Sequence, residues 1–259
     1  MLAFMLLPIV ALVVTLSWQD LVAGLGHPSV WPALRLSMVT TAISLLAVVI
    51  LGTPLAWRLS RTQGRAVRVI ETLVRLPAVL PPAVAGVALL LAFGRKGLVG
   101  GWLASHGLAV PFTAAAVVMS QVFVAAPFYF QAACSAFRGL DEDQLVVART
   151  LGASRGEVFL RIALPLAAPG LIAGAAMSWA RALGEFGATL MFAGNLVGKT
   201  QTLTLAVYTT FESDMRAAQA LSLVLVVVAF ALLFVLTTRA RNLRDGDDRS
   251  GHGRRDAGG

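Results

Sequence analysis

The chain has 259 residues, 58% of them hydrophobic and 13% charged, with a formal net charge of +8. A mean hydropathy of +0.80 lies well outside the range of soluble domains and puts the chain in a lipid bilayer. The basic excess does not imply nucleic acid as a partner, because the arginines are spread over three loops with no pattern of aromatic interleaving.

Crossing about 30 Å of hydrocarbon takes about 20 apolar residues at 1.5 Å each. Six stretches qualify, approximately 1–18, 33–57, 76–93, 113–137, 162–190 and 217–238. The first lacks the basic start and small-residue cleavage site of a secretory leader and is expected to be a retained span. Arg58, Arg61, Arg65, Arg68 and Arg75 follow the second stretch, Arg138, Arg149, Arg155 and Arg161 follow the fourth, and further arginines from Arg239 onward fill the tail. The opposite loops hold only Arg95, Lys96, Lys199 and Arg216. By the positive-inside rule both termini and the 138–161 loop are cytoplasmic. Residues 242–259 are almost devoid of apolar side chains and are expected to form a disordered tail beyond a transmembrane domain of residues 1–241.

The third stretch opens with Leu76-Pro77-Ala78-Val79-Leu80-Pro81-Pro82. Proline has no N–H to give a helix interior, so this segment is expected to be kinked or extended. A bent helix start and a hinge between pore states are both open readings.

The loop at 138–161 carries its own helix signals. Asp141 can cap a helix running through Leu145, Ala148 and Leu151, with Gln144 at the third position and Gly152 placed to end it in the left-handed conformation. Ser154 with Glu157 forms a second capping box, Ser-x-x-Glu. The expected result is two short helices joined by a sharp turn, a rigid knob presented to something else.

In the fifth stretch, Gly170 and Gly174 form a G-x-x-x-G pair, read as a place for a close helix neighbour. Further on, Arg181 and Glu185 lie four residues apart at membrane depth, with Gly184, Phe186 and Gly187 around them. Charges there are costly and face a bundle interior or a water-filled path. The pair either neutralises itself across one turn or lines and gates a polar pathway loosened by the glycines.

No catalytic, cofactor or metal site is expected. His27, His106 and His252 lie in separate segments, and the single cysteine, Cys134, sits in an apolar helix as a structural thiol. Ala193 to Thr200, AGNLVGKT, fits a relaxed phosphate-loop pattern, but such a loop must join a buried strand to a helix, whereas this one follows a membrane span.

Ala148, then Gly152, nine intervening residues and Ile162-Ala163-Leu164-Pro165 resemble the cytoplasmic coupling loop of ABC importer permeases. In that family the pattern begins Glu-Ala-Ala; here Val146 and Val147 stand at the glutamate and first alanine. The resemblance implies that a loop at about 138–165, through Ala148, Gly152, Ala153, Glu157, Ile162, Leu164 and Pro165, docks on a separate ATPase subunit. Leu76 to Gly100, Ala148 to Phe159, Trp179 to Asn195 and Gly198 to Glu212 resemble the permeases of molybdate importers in particular. The Gly-Glu-Phe-Gly segment is shared with sulfate and thiosulfate permeases, and tungstate permeases are similar. The resemblance therefore implies an all-α bacterial inner-membrane protein with six transmembrane helices and the ABC importer permease fold. Its implied partners are a second copy, a cytoplasmic ATPase that holds the ATP, an extracytoplasmic molybdate-binding protein and the bilayer, with Arg181 to Gly187 as candidate pathway or gate. A stand-alone carrier or channel and a membrane scaffold are the readings from other classes. A carrier commonly shows inverted repeats and several intramembrane charges, where this chain shows no repeat and one charged pair.

Overall fold

The computed structural model describes residues 1–252, with side chains described for Met1 and for Ala3 to Ala240. Every regular element among the described residues is helical: α1 Leu2–Val14, α2 Trp18–Leu25, α3 Val30–Ser60, α4 Arg65–Arg75, a 3-10 turn Leu76–Ala78, α5 Pro82–Phe93, α6 Gly100–Ser105, α7 Ala114–Arg138, α8 Glu142–Thr150, α9 Arg155–Glu157, a π turn Val158–Ala163, α10 Leu164–Leu183, α11 Gly187–Ala193, α12 Leu203–Ser213 and α13 Met215–His252.

Four helical runs are long and apolar enough to cross a membrane: Val30–Ser60, Ala114–Arg138, Arg155–Leu183 and Met215–Ala240. The bent pairs Ala3–Val14 with Trp18–Leu25, and Arg65–Ala78 with Pro82–Phe93, bring the number to as many as six. All six expected stretches are thus helical, but three of them are interrupted.

The first stretch is not one straight span. It bends by 82° between Val14 and Trp18, because Ser17 ends the apolar run and caps α2 by accepting the Asp20 N–H at 3.1 Å. In the third, Pro77 sits in the 3-10 turn and Pro81 is extended (φ −55°, ψ 133°), so a new helix starts at Pro82, where the missing N–H costs nothing. The fifth stretch ends at Leu183 instead of continuing to Leu190, with Gly184 to Phe186 as the break. The last helix continues past Arg241 to His252, and residues 253–259 of the expected tail lie outside the described residues.

Residues cluster into two compact units that share the long helices. One comprises 1–44, 80–124 and 181–231. Its core joins Val30 and Ala33 of α3 to Leu203, Ala206 and Leu221, and Leu89 of α5 to Val117 and Phe192. α11 lies so close on α5 that a Cβ at Gly86 would stand 2.7 Å from the Ala188 carbonyl oxygen. A stripe of buried hydroxyls on α3, Ser37, Thr40, Thr41 and Ser44, supplies the polar joints. Ser44 donates to Gln121 Oε1 at 2.9 Å, Gln121 Nε2 donates to Thr40 at 3.2 Å, and Ser37 accepts the Leu203 N–H at 2.7 Å.

The other unit comprises 45–79, 125–180 and, among the described residues, the last helix from 232 onward. Here the Gly170 and Gly174 pair does what close packing requires: a Cβ at either would meet Ala136 or Ala132 of α7 at 2.6 or 2.5 Å. Thr53 and Tyr129 share a buried hydrogen bond of 2.6 Å between α3 and α7. Cys134 is a free, buried thiol.

Candidate functional site

Two groups of residues stand out, one in each unit. The first is the loop after α7. The Asp141 carboxylate accepts the Asp143 N–H at 3.0 Å and starts α8. At the other end Gly152 has φ +91°, and the N–H groups of Gly152 and Ala153 return to the carbonyls of Arg149 and Ala148, each at 3.1 Å. No atom lies within 4 Å of where a Gly152 Cβ would stand, so the need for glycine is conformational and not steric.

Ser154 then caps α9. Its hydroxyl accepts the Glu157 N–H at 3.3 Å while Glu157 Oε2 accepts the Ser154 N–H at 3.0 Å. The Glu157 carboxylate is also 3.3 Å from Arg161, so it organises the loop from within. The second helix is not a short separate element as expected. It passes through the π turn into α10, giving one run from Arg155 to Leu183. Pro165 cannot donate to the Arg161 carbonyl, and the widened turn lies just before it, spanning Ile162 and ending at Ala163, with Leu164 as its C-cap.

α8 buries Leu145 and leaves Val146, Val147 and Leu151 exposed, Leu151 by 83%. The two valines that replace the family's Glu-Ala thus present apolar surface. Beside them is a recess of about 410 Å³ lined by Trp57, Arg61, Leu145, Arg149, Arg155 and Val158. Arg61 holds its floor together. Its guanidinium stacks 4.9 Å from the Trp57 ring centre, donates to the Phe137 carbonyl at 2.6 Å and reaches Glu142 at 3.4 Å. Trp57 packs on Phe137 at 5.3 Å and on Phe159 at 5.6 Å. The ends of α3 and α7, the start of α8 and the π turn therefore form one block. Sequence reasoning counted Arg61 only as a topology signal, and nothing local marks it as a joint.

The second group surrounds the break after α10. Glu185 is fully buried; its Oε1 accepts the Ala188 N–H at 2.7 Å and caps α11. Its Oε2 lies 2.7 Å from Arg181 Nη2 as an ion pair without hydrogen-bond alignment. Its carbonyl accepts the Thr204 hydroxyl at 2.9 Å. Phe186 (φ −127°, ψ −59°) turns the chain and stacks 5.2 Å from Tyr208. Gly184 is exposed, and Gly187 packs so tightly on α5 that a Cβ would fall 2.8 Å from Pro82. The five residues singled out from sequence are thus together at one helix break. The α3 hydroxyl stripe was missed, although its i, i+3, i+4, i+7 spacing is visible in the sequence.

The phosphate-loop-like segment is closed to phosphate. The N–H groups of Lys199, Thr200 and Gln201 all turn onto the Leu196 carbonyl at 2.9–3.0 Å, and Thr200 Oγ1 accepts the Leu196 N–H at 3.0 Å. Among the described residues no three His, Cys, Asp or Glu side chains converge for a metal.

The described residues thus form an all-helical fold with membrane-length helices and an exposed cap–helix–glycine–cap loop. The chain belongs to the family described as binding-protein-dependent transport system inner membrane component, whose sequence pattern matches residues 48–244. It is 47% identical to the molybdenum transport system permease protein ModB of Mycobacterium tuberculosis over 238 residues, covering 92% of this chain and 89% of that protein. The probable transport system permease protein NifC of Clostridium pasteurianum is 39% identical, covering 80% and 73%. The sulfate transport system permease protein CysT of Escherichia coli is 32% identical, covering 90% and 86%. The fold matches a chain of a bacterial alginate ABC transporter crystallised with its periplasmic protein (TM-score 0.72, 17% identity, 93% of this chain and 90% of that one). It also matches the inward-facing MetNI methionine ABC transporter (TM-score 0.60, 18% identity, 83% and 94%).

Proposed function

We propose that this chain is the membrane-spanning subunit of an ATP-driven importer that takes up molybdate. The observation that carries the substrate is the 47% identity to a molybdenum transport permease across 92% of this chain, against 32% to a sulfate permease. Two copies would surround the anion pathway, fed from outside by a molybdate-binding protein. A cytoplasmic ATPase would bind and hydrolyse the ATP, so that this chain needs no catalytic residue of its own. The arginine-rich loops support a cytoplasmic side for both termini and α8 by the positive-inside rule.

The coupling surface is α8 with the Gly152 turn, through Ala148, Ala153, Glu157, Ile162, Leu164 and Pro165. ATP-driven closure of the ATPase pair pushes on α8. Leu145 and the Arg61–Trp57–Phe137 block hand that push to the ends of α3 and α7 as a rigid displacement. The helices then reopen outward, and the binding protein releases its anion into the pathway. Arg181 eases the dianion through, because its guanidinium is partly exposed and offers a fixed fork of donors.

Co-purification tests the class. The tagged chain, extracted from the membrane, retains an ABC ATPase in stoichiometric amount if the reading is right; a carrier or channel retains none.

A further inference from the structure

We propose that α4 lies flat in the surface of the cytoplasmic leaflet, with an apolar face among the acyl chains and Arg65 and Arg68 on the phosphates of anionic phospholipids. The inference goes beyond the transport reading and does not depend on the anion carried.

At 3.6 residues per turn, the larger side chains among the 11 residues of α4 sort into three faces. Val67, Val74 and Glu71 turn towards the rest of their unit and are buried or half-buried. Val69, Ile70 and Leu73 form a second face that is exposed, Leu73 by 60% and Ile70 by 40%. Arg65, Arg68 and Arg75 form a third, exposed face. A helix with one apolar and one basic face at the water boundary is the pattern that lies in a membrane surface.

Depth is fixed independently. Glu71 pairs with Arg138, the last residue of α7, and with Arg75 at 3.8 Å. α4 is therefore held at the level where a membrane span leaves the hydrocarbon. It also begins only a few residues after the end of α3 at Ser60. At this level the acyl and phosphate layers meet, so both exposed faces find their solvent at once.

Charge identifies the lipid. Glu71 is neutralised by Arg138 and Arg75, whereas Arg65 and Arg68 have no acidic partner among the described residues. Two unpaired guanidiniums beside an apolar strip suit a phosphate that carries net negative charge, as in phosphatidylglycerol, better than a zwitterionic headgroup.

The experiment uses the full chain in lipid bilayers. A spin label is placed at Leu73 through Leu73→Cys, the native Cys134 being buried. Collision with oxygen and with a water-soluble nickel chelate then reads its surroundings. The proposal expects strong oxygen and weak nickel contact. Strong nickel contact would mean an aqueous helix, and weak contact with both would mean cover by a second copy or another protein; either overturns it. In the second arm, native mass spectrometry compares phosphatidylglycerol retained by the wild-type chain, by Arg65→Gln/Arg68→Gln and by Arg65→Lys/Arg68→Lys. The glutamine pair should lose at least half of the retained lipid and the lysine pair should keep most of it. Equal retention by all three would overturn the lipid assignment. Free inorganic phosphate added in excess should not displace the bound lipid, since the apolar face contributes to holding it.

Discussion

Arg181 Nη2 stands 2.7 Å from Glu185 Oε2, with the Glu185 side chain 1% exposed and that of Arg181 27% exposed. The two members of the pair are therefore not equivalent. Glu185 is occupied by the α11 cap and the ion pair, while Arg181 keeps a solvent-reachable side. Arg181→Gln should leave the protein in the membrane at normal level and lower uptake at least tenfold. Unchanged uptake with normal protein level would remove Arg181 from the pathway.

Glu185 calls for a different outcome. Glu185→Ala leaves the Ala188 N–H without its acceptor and Arg181 without its partner, at a cost of about 1–3 kcal/mol. Thermal unfolding in detergent should fall accordingly. Glu185→Gln, which retains the acceptor, should recover part of the loss, and a wild-type melting temperature for Glu185→Ala would show that the cap is not structural.

Gly152 tests the knob. Its φ of +91° costs an L-residue about 1–2 kcal/mol. Open space around it means that a Cβ alone is enough to cause the strain and that bulk adds a second, docking effect. Gly152→Ala should lower ATPase co-purification modestly, Gly152→Trp severely, and neither should impair membrane insertion. Normal coupled uptake by Gly152→Trp would refute the assignment of this loop.

Much of this loop was legible in advance because its signals are local. Ser154 and Glu157 sit three residues apart and satisfy each other's backbone, and Gly152 is where a left-handed residue is needed. The proline run likewise announced its own break. What stayed hidden depends on distant chain. Glu185 was read as a mid-span charge, yet its acceptor role belongs to the start of the next helix and to Thr204. The π turn ahead of Pro165 follows from one missing donor inside an otherwise helical pattern. Arg61 became a joint only because Phe137 and Glu142 fold onto it.

Arg61 yields a fourth expectation. Arg61→Gln removes the bonds to Phe137 and Glu142 and the stacking on Trp57, so α8 should still dock but transmit less. ATP hydrolysed per anion transported should rise several-fold. Arg61→Lys should rescue poorly, since an ammonium lacks the planar fork and stacks less well. A wild-type ratio in both variants would show that the push travels by another route.

Gly174 offers a test of packing alone. A Cβ there would stand 2.5 Å from Ala132 Cβ, so Gly174→Val should cost about 1–3 kcal/mol by forcing α10 away from α7. The melting temperature should drop, and an unchanged value would mean the helices can separate freely.

The central claim is that this chain carries molybdate inward. The direct measurement is uptake of labelled molybdate at low concentration by a host with and without the chain, in the presence of excess unlabelled sulfate. Uptake should require the chain and should be unaffected by sulfate. If deletion abolishes sulfate uptake and leaves molybdate uptake intact, the substrate assignment is wrong.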